Sequence, residues 1–456
     1  MTIARPSHLA AVAASVAALF APAAQAGSAT LEGWALMPAN TFADGPTTGQ
    51  FATSAGGNTL PLLDRQSVQG FSAVLAGPTA GSYYFMPDNG FGTRENSADA
   101  LLRMYAVTPD FRTATGGTGT VSAANYGTGA SMNGFHAGSY ITLSDPNNLL
   151  SLKIQADYKR YYNSAGNPLV DASIRNDRLL TGADLDIESV RKDRNGNLWF
   201  GDEFGPYLVK TNAKGEVLRR EIGMTGVLSP QNEAVINGSA SATLGRSNGF
   251  EGMAVNASGD RLYTLLEGTV AGDAAKTLRI NAFDVNTEAY TGQQWHYKLD
   301  AAGTNIGDMT AINDHEFLVI ERNGATATSG TPFKKIFSID LNKVDANGNV
   351  VKTEVVNLMD IADPNDLNRD GSQAFTFPFT TIESVLILDA HTLLVANDNN
   401  YPGTGGRDLG SDNTEFLKIH LDQALAVSAV PEPGSYALML GGLGMVGWVA
   451  RRRMRD

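Results

Sequence analysis

The chain has 456 residues, of which 34 are Lys or Arg and 47 are Asp or Glu, so its formal net charge is −13. A surface this acidic repels phosphate backbones, which excludes nucleic acid as an expected partner. There are no cysteines, and this excludes disulfides, thiolate metal sites and cysteine nucleophiles. Glycine, at 49 residues, exceeds its usual share of about 7% and favours a turn-rich, all-β fold.

The first 26 residues have the pattern of a secretory signal peptide. Arg5 gives the segment a positive start, an apolar run follows over residues 9–20, and Ala24-Gln25-Ala26 is a small-x-small cleavage site. The alternative is a buried N-terminal helix, but the run is short and ends in the cleavage pattern. We therefore expect residues 1–26 to be a signal peptide and the protein to be exported.

Between the two ends, residues 27–429 are expected to form one domain made of a repeated hairpin unit. Copies start near residues 188, 251, 310 and 383, and a degraded copy starts near residue 72. Each has an apolar strand, a turn rich in Gly, Asn and Asp, and a second apolar strand. Units repeating on this scale predict a β-propeller of six blades. Seven blades stay open because residues 88–188 leave room for another, and tandem β-sandwiches are the third choice.

Acidic residues recur at the start of the first strand and at the end of the second strand of these units. Equivalent positions of successive blades converge at one mouth of a propeller, so we expect these side chains to share a site. Many carboxylates cannot lie together ionised and unpaired, and a divalent cation would relieve the repulsion. Oxygen ligands without cysteine favour Ca²⁺ over zinc. The predicted ligands are Asp88, Glu188, Asp202, Glu203, Glu251, Glu267, Asp308, Glu321, Glu383 and Asp398.

Two further groups of residues are candidates, and each has a plain structural alternative. Asp366, Asn368 and Asp370 alternate before a glycine, as at the start of an EF-hand loop, although the twelfth position lacks the bidentate Glu. The alternative is a solvated loop. Arginines that follow the mouth segments could clamp a phosphate or carboxylate, or could simply balance the adjacent acids. These arginines are Arg94, Arg322 and Arg407.

Five short motifs in the repeats, taken together, resemble a known family. They are Asp-Ile-Glu-Ser at residues 186–189, Gly-Asp-Glu-Phe-Gly-Pro at 201–206, Asn-Gly-Phe-Glu-Gly at 248–252, Ile-Glu-Arg at 320–322 and Thr-Ile-Glu-Ser at 381–384. The set resembles the phytase-like domain described as "esterase-like activity of phytase", over most of residues 60–420. The resemblance implies a propeller that hydrolyses phosphoric or carboxylic esters. Calcium-dependent propeller phytases combine an acidic, calcium-bridged mouth with many basic side chains, and this chain lacks dense Lys and Arg there, which disfavours phytate itself.

The C-terminal residues 430–456 combine three features in order. Val-Pro-Glu-Pro at 430–433 precedes a short apolar run at 436–450, and three arginines follow at 451–453. The run is marginal for a stable membrane span, and the basic cluster should stay cytoplasmic. This order resembles the PEP-CTERM sorting signal of Gram-negative bacteria. The resemblance implies processing by an exosortase and passage through the inner membrane to the cell surface or extracellular matrix; the alternative is a simple anchor.

Two classes of function follow from these features. The first is a calcium-dependent hydrolase of a small ester, most favourably a phosphoric ester. In it, Glu188 or Glu203 accepts a proton while Arg322 or Arg94 stabilises the developing charge. The second is a non-catalytic propeller that binds a glycan or a protein in an extracellular polysaccharide matrix, because an acidic mouth serves binding as readily as catalysis.

Overall fold

A computed structural model describes residues 29–54, 56–158, 169–407 and 409–428. The predicted signal peptide and sorting tail lie outside these residues, so their boundaries stay predictions. No helix within the described ranges is long and apolar enough to cross a membrane. The strands, numbered in chain order, are β1 (Ala29–Met37), β2 (Phe42–Asp44), β3 (Arg65–Ser67), β4 (Phe71–Ala76), β5 (Tyr83–Pro87), β6 (Arg103–Asp110), β7 (Thr120–Ala123), β8 (Tyr140–Thr142), β9 (Ile187–Lys192), β10 (Leu198–Asp202), β11 (Tyr207–Thr211), β12 (Ile222–Gly223), β13 (Gly252–Val255), β14 (Arg261–Leu265), β15 (Thr277–Asp284), β16 (Ala289–Lys298), β17 (Asn305–Ala311), β18 (Glu316–Arg322), β19 (Lys334–Val344), β20 (Val350–Asn357), β21 (Ile361–Ala362), β22 (Ala374–Phe375), β23 (Ile382–Asp389), β24 (Thr392–Asn397) and β25 (Thr414–Leu421). The helices are α1 (Ala172–Asn176), α2 (Glu233–Ile236) and a 3₁₀ turn at Gln155–Asp157.

The strands of the described residues form five blades around a central channel. The inner strands β4, β9, β13, β17 and β23 pack side by side in that order, and β23 packs against β4 to close the ring. The blades run outward as β4–β5–β6–β7, β9–β10–β11–β12, β13–β14–β15–β16, β17–β18–β19–β20 and β23–β24–β25–β1, and we number them 1 to 5. The remaining short strands pair as β2 with β3, β21 with β22, and β8 with β6.

The all-β propeller predicted from the sequence is confirmed, but the expected six blades are five in the described part of the chain. The difference has a simple cause. Long insertions separate β7 from β9 and β12 from β13. They lengthen the chain without adding a blade, so the chain length divided by the repeat spacing overestimates the number of blades.

The first described strand completes the last blade. β1 runs antiparallel to β25, from the pair Ala29 and Leu421 to the pair Met37 and Thr414, and so supplies the outer strand of blade 5. The two ends of the described chain therefore meet in one blade.

Each pair of neighbouring blades encloses its own apolar core, which gives five such cores in the described residues. Between blades 2 and 3, Trp199 meets Phe283 edge to face, with ring centroids 5.1 Å apart. Between blades 5 and 1, Phe85 meets Phe416 at 5.0 Å in the same geometry. A blade is thus apolar on both faces and is buried only when it has a neighbour on each side, so the ring is stable only when closed.

Candidate functional site

A β-bulge recurs at one level of the inner strands. In β9, Ile187 pairs with Asp202 and Ser189 with Gly201, so Glu188 is the extra residue. In β23, the pairing skips Glu383 in the same way. A bulge interrupts the strand alternation and redirects a side chain. Here the redirected side chains are carboxylates that lie buried at one end of the channel, which we call the acidic mouth.

The ends of the second strands bring further acids to this mouth, as the repeat predicted. Asp202 ends β10 and Glu203 follows it, Glu267 lies just after β14, and Asp398 follows β24. The nine carboxyl groups that interact there belong to Asp88, Asp186, Glu188, Asp202, Glu203, Glu251, Glu267, Glu383 and Asp398.

Arg322 at the end of β18 lies among three of these acids. Its Nη2 atom is 2.6 Å from Glu383 Oε1, 3.2 Å from Glu251 Oε1 and 3.3 Å from Glu267 Oε1. Its Nη1 donates to the Thr380 carbonyl at 3.3 Å. Arg322 is only 6% exposed. We call these three glutamates the clamped half of the mouth, because one buried arginine compensates part of their charge.

The opposite side of the mouth has no such cation. Carboxylate oxygens of Asp186, Glu188 and Glu203 lie within 4.8 Å of one another, and all three side chains are buried. None of the three forms an ion pair with Lys or Arg in the described part of the chain. The buried Oδ1 atom of Asp186 has no hydrogen-bond partner among the described residues. We call this trio the open half.

Backbone amides fix the side chains around the open half. The amide of Gly249 donates to Glu203 Oε1 at 2.9 Å, and a side chain at position 249 would collide with the Glu203 backbone, so glycine is required there. Asp202 accepts from the amides of Asp186 at 2.9 Å and Gly205 at 2.8 Å. Asp202 therefore positions the loops as well as adding charge.

Burial and mutual repulsion raise the pKa of the acids in the mouth. Burial, with the charge of Asp186, raises the pKa of Asp88 to about 8, and burial with the charge of Asp202 raises the pKa of Asp186 to about 7. Burial and the neighbouring acids also raise the pKa values of Glu188 and Glu203. These raised pKa values favour protonation of part of the mouth near neutral pH, and a cation bound there would displace the protons.

Two of the predicted ligands lie elsewhere. Glu321 precedes Arg322 on β18, so strand alternation turns it to the other face of the blade, where it accepts hydrogen bonds from Tyr297 Oη at 2.6 Å and Lys352 Nζ at 2.5 Å. Asp308 lies deeper in the channel, where its Oδ1 pairs with Arg191 Nη2 at 2.7 Å. The structure brings neither residue to the acidic mouth.

The other arginines hold loops together. Arg94 donates from Nε to the Ala183 carbonyl at 2.9 Å and from Nη1 to the Gln231 carbonyl at 3.1 Å, with its guanidinium over the Phe204 ring. Arg407 pairs with both carboxylate oxygens of Glu415. A charge-stabilising role for Arg94 stays a prediction, whereas Arg322 lies inside the mouth.

The second calcium candidate is an exposed loop whose polar groups hydrogen-bond within the loop. Asn368 Nδ2 donates to Asp370 Oδ2 at 2.9 Å, and the Gly371 amide donates to Asp366 Oδ1 at 3.1 Å. The structure does not bring Asp366, Asn368 or Asp370 to the mouth, and their role as ligands stays a prediction.

Asp186 is the residue of the mouth that the ligand prediction omitted. It precedes β9 rather than ending a second strand, so it does not fit the repeated position. A sequence signal did exist, because Asp186 belongs to the Asp-Ile-Glu-Ser motif and lies two residues before Glu188. Two acids so close to one bulge can both face the same site.

Comparison with known proteins identifies the family. The profile described as "Esterase-like activity of phytase" matches residues 66–401. The chain belongs to the phytase-like family. The PEP-CTERM protein-sorting motif matches residues 429–453, which marks the protein for export in Gram-negative bacteria, with a membrane-associated sorting step and recognition by an exosortase. No curated protein sequence matches the chain.

Three solved structures that match the chain share little sequence with it. A luciferin-regenerating enzyme is 11% identical, with a TM-score of 0.35, and the match covers 80% of this chain and 84% of that one. The periplasmic gluconolactonase of Pseudomonas aeruginosa is 12% identical, with a TM-score of 0.33 and coverage of 85% and 99%. A GH43 β-1,3-galactosidase is 11% identical, with a TM-score of 0.37 and coverage of 80% and 94%.

Proposed function

We propose that this protein is an exported, calcium-dependent ester hydrolase that prefers phosphoric esters. The observation that carries the proposal is the open half of the mouth. Three buried carboxylates lie within 4.8 Å of one another without a Lys or Arg partner in the described residues, in a chain of the phytase-like family. Buried acids in this arrangement are costly unless protons or a cation compensate them.

The donor set fits Ca²⁺. This ion takes six to eight oxygen ligands, and carboxylates are the ligands it binds most often. Asp186, Glu188 and Glu203 supply such oxygens, and Asp186 Oδ1 is buried with no competing hydrogen bond among the described residues. The trio contains neither histidine nor cysteine, which disfavours zinc.

The two halves of the mouth would have different roles in hydrolysis. When bound, calcium would polarise an ester oxygen and favour deprotonation of an attacking water. Glu188 is the better proton acceptor, because its carboxylate accepts no backbone hydrogen bond in the described structure, whereas Glu203 accepts one from Gly249. Arg322 neutralises part of the clamped half and lowers the repulsion that an anionic substrate meets.

The charge of the mouth also restricts the substrate. Nine carboxyl groups surround one arginine, so an anionic ester enters only when a cation screens the mouth. A phosphoric ester with one or two charges is therefore favoured over phytate, which needs many basic partners. Delivery to the cell surface or to a polysaccharide matrix is also part of the proposal, and it is supported by the sorting motif.

The test is turnover of phosphomonoester, phosphodiester, carboxyl-ester and lactone substrates, each measured with calcium and with a chelator. The proteins are the wild type, Glu188→Gln and the matched control Glu354→Gln, which alters a carboxylate on the outer strand of blade 4. We expect calcium-dependent hydrolysis of a phosphoric ester that falls at least a hundredfold in Glu188→Gln, about 2.7 kcal/mol, and is unchanged in the control.

Two results would contradict the proposal. Hydrolysis that is equally fast in chelator would show that the reaction does not require calcium. No turnover of any ester by folded, calcium-loaded protein would favour the non-catalytic alternative, in which the mouth binds a glycan or protein of the surface matrix.

A further inference from the structure

Both ends of the described chain leave the propeller on the face opposite the acidic mouth. β25 starts beside the mouth, where the Glu415 amide donates to Asn397 Oδ1 at 2.7 Å. It ends at Leu421, whose amide donates to the His391 carbonyl in the turn at the far end of blade 5. Because Ala29 pairs with Leu421, the N-terminal end lies on the same face. We call this the tail face.

After β25, residues 422–428 cross the tail face from blade 5 to blade 4 and are held there by three hydrogen bonds and one apolar contact. The Leu425 amide donates to the Ala390 carbonyl at 2.8 Å, and Leu425 packs against the core between the two blades. Asn313 Nδ2 donates to the Ala426 carbonyl at 3.1 Å. The Ser428 amide donates to the Ile312 carbonyl at 3.1 Å. The chain therefore leaves the propeller at a fixed point under blade 4.

The sorting motif begins one residue later, so the link to the membrane is short. From Ser428 to the start of the apolar run at Tyr436 there are eight residue steps, which span at most about 29 Å when fully extended. The eleven residues of β19 run from the mouth to the tail face and span about 36 Å at ~3.3 Å per residue. A tether of this length reaches the bilayer from the tail face but cannot pass along the blade to turn the mouth toward the membrane.

We propose that the tail face is the membrane-facing surface of the uncut protein and that its partner is the bilayer surface at the sorting site. The tail face consists of residues 422–428 and the turns at 193–197, 256–260, 313–315, 345–349 and 389–391. In this orientation the acidic mouth points away from the membrane and is open to soluble ions and ligands before the tail is processed.

The absence of cysteine allows a direct test on the full-length chain in lipid vesicles. Three exposed alanines are replaced singly: Ala257→Cys and Ala346→Cys in turns of the tail face, and Ala327→Cys in the loop after β18 at the mouth. Each thiol carries the same fluorescent donor, and the lipid headgroups carry an acceptor whose transfer distance matches the height of the propeller. The same proteins in detergent without acceptor lipid are the reference.

We expect energy transfer to be at least twofold more efficient from positions 257 and 346 than from position 327 in vesicles. Thermal melts of the labelled proteins verify that each variant is folded, and two positions on the tail face guard against a local effect of either substitution. Equal transfer from all three positions, or stronger transfer from position 327, would overturn the proposed orientation.

Discussion

The two halves of the acidic mouth contain similar side chains but differ in what compensates them. Glu251, Glu267 and Glu383 share the guanidinium of Arg322, whereas the open half shares no buried cation in the described residues. In the clamped half the protein supplies the positive charge. In the open half the charge must come from protons or from an ion in solution. The missing internal cation is the reason we propose the calcium site in the open half and not beside Arg322.

Removing the clamp should have the largest effect on stability. Arg322→Met leaves three buried glutamates without a cation, and we expect the free energy of unfolding to fall by about 3 kcal/mol. Urea unfolding at pH 8 in chelator measures this. The control is Arg279→Met, which breaks a more exposed pair with Asp273 and should cost about 1 kcal/mol or less. Equal decreases in the free energy of unfolding of the two variants would show that Arg322 stabilises the fold no more than an exposed ion pair does.

The next largest effect is the pH dependence of the metal-free protein. Burial raises the pKa of Asp88 to about 8 and those of Asp186, Glu383 and Asp398 to about 7, above their unfolded values near 4. The folded state therefore binds extra protons between about pH 4 and pH 8, and the stability they provide falls across that range until it is lost above the folded pKa values. We expect a lower melting temperature at pH 8 than at pH 5 in chelator.

Calcium should reverse that trend, because it replaces the protons that leave at high pH. Thermal melts at both pH values, with calcium and with chelator, measure the effect. We expect the increase in melting temperature on adding calcium to be larger at pH 8 than at pH 5. A metal-free protein that melts at a higher temperature at pH 8 would contradict the raised pKa values.

A third prediction separates the two halves by affinity. Asp186→Asn removes a charged ligand from the open half, and we expect calcium affinity to fall at least tenfold, about 1.4 kcal/mol. Glu267→Gln makes the same chemical change in the clamped half and should alter affinity less than threefold. Isothermal titration calorimetry at pH 8 measures both. The reverse order would place the ion beside Arg322 instead.

The smallest effect is expected outside the mouth. Asp370→Asn lies in the exposed loop at 366–371, whose polar groups are hydrogen-bonded to one another. We expect calcium affinity to be unchanged and stability to change by less than about 0.5 kcal/mol. A clear loss of bound calcium in this variant would establish the loop as a second site.

The sequence predicted the propeller and most members of the mouth for a physical reason. Strand periodicity and turn residues are local signals, and the repeated position of the acids follows from the repeated hairpin. Glu188, Glu251 and Glu383 meet because equivalent strands surround one channel. The number of blades was not predictable in the same way, because insertions lengthen the chain without adding a blade.

Side-chain direction explains which of the predicted residues the structure brings to the mouth. Glu321 and Arg322 are adjacent on β18, so only one of them can face the mouth, and Arg322 takes that position. Asp308 and Asp186 depend on where the bulge falls in each inner strand, and the amino-acid pattern does not mark that position. The pairing of Arg322 with Glu251, Glu267 and Glu383 likewise depends on the assembled ring, because these residues come from different blades.

Anomalous diffraction from crystals of the protein grown with calcium or soaked with terbium tests the proposed calcium site directly. We expect a peak in the open half, with oxygens of Asp186, Glu188 and Glu203 at about 2.3–2.6 Å from the ion. A peak between Arg322 and the clamped half, or a mouth without a peak in fully loaded crystals, would contradict it.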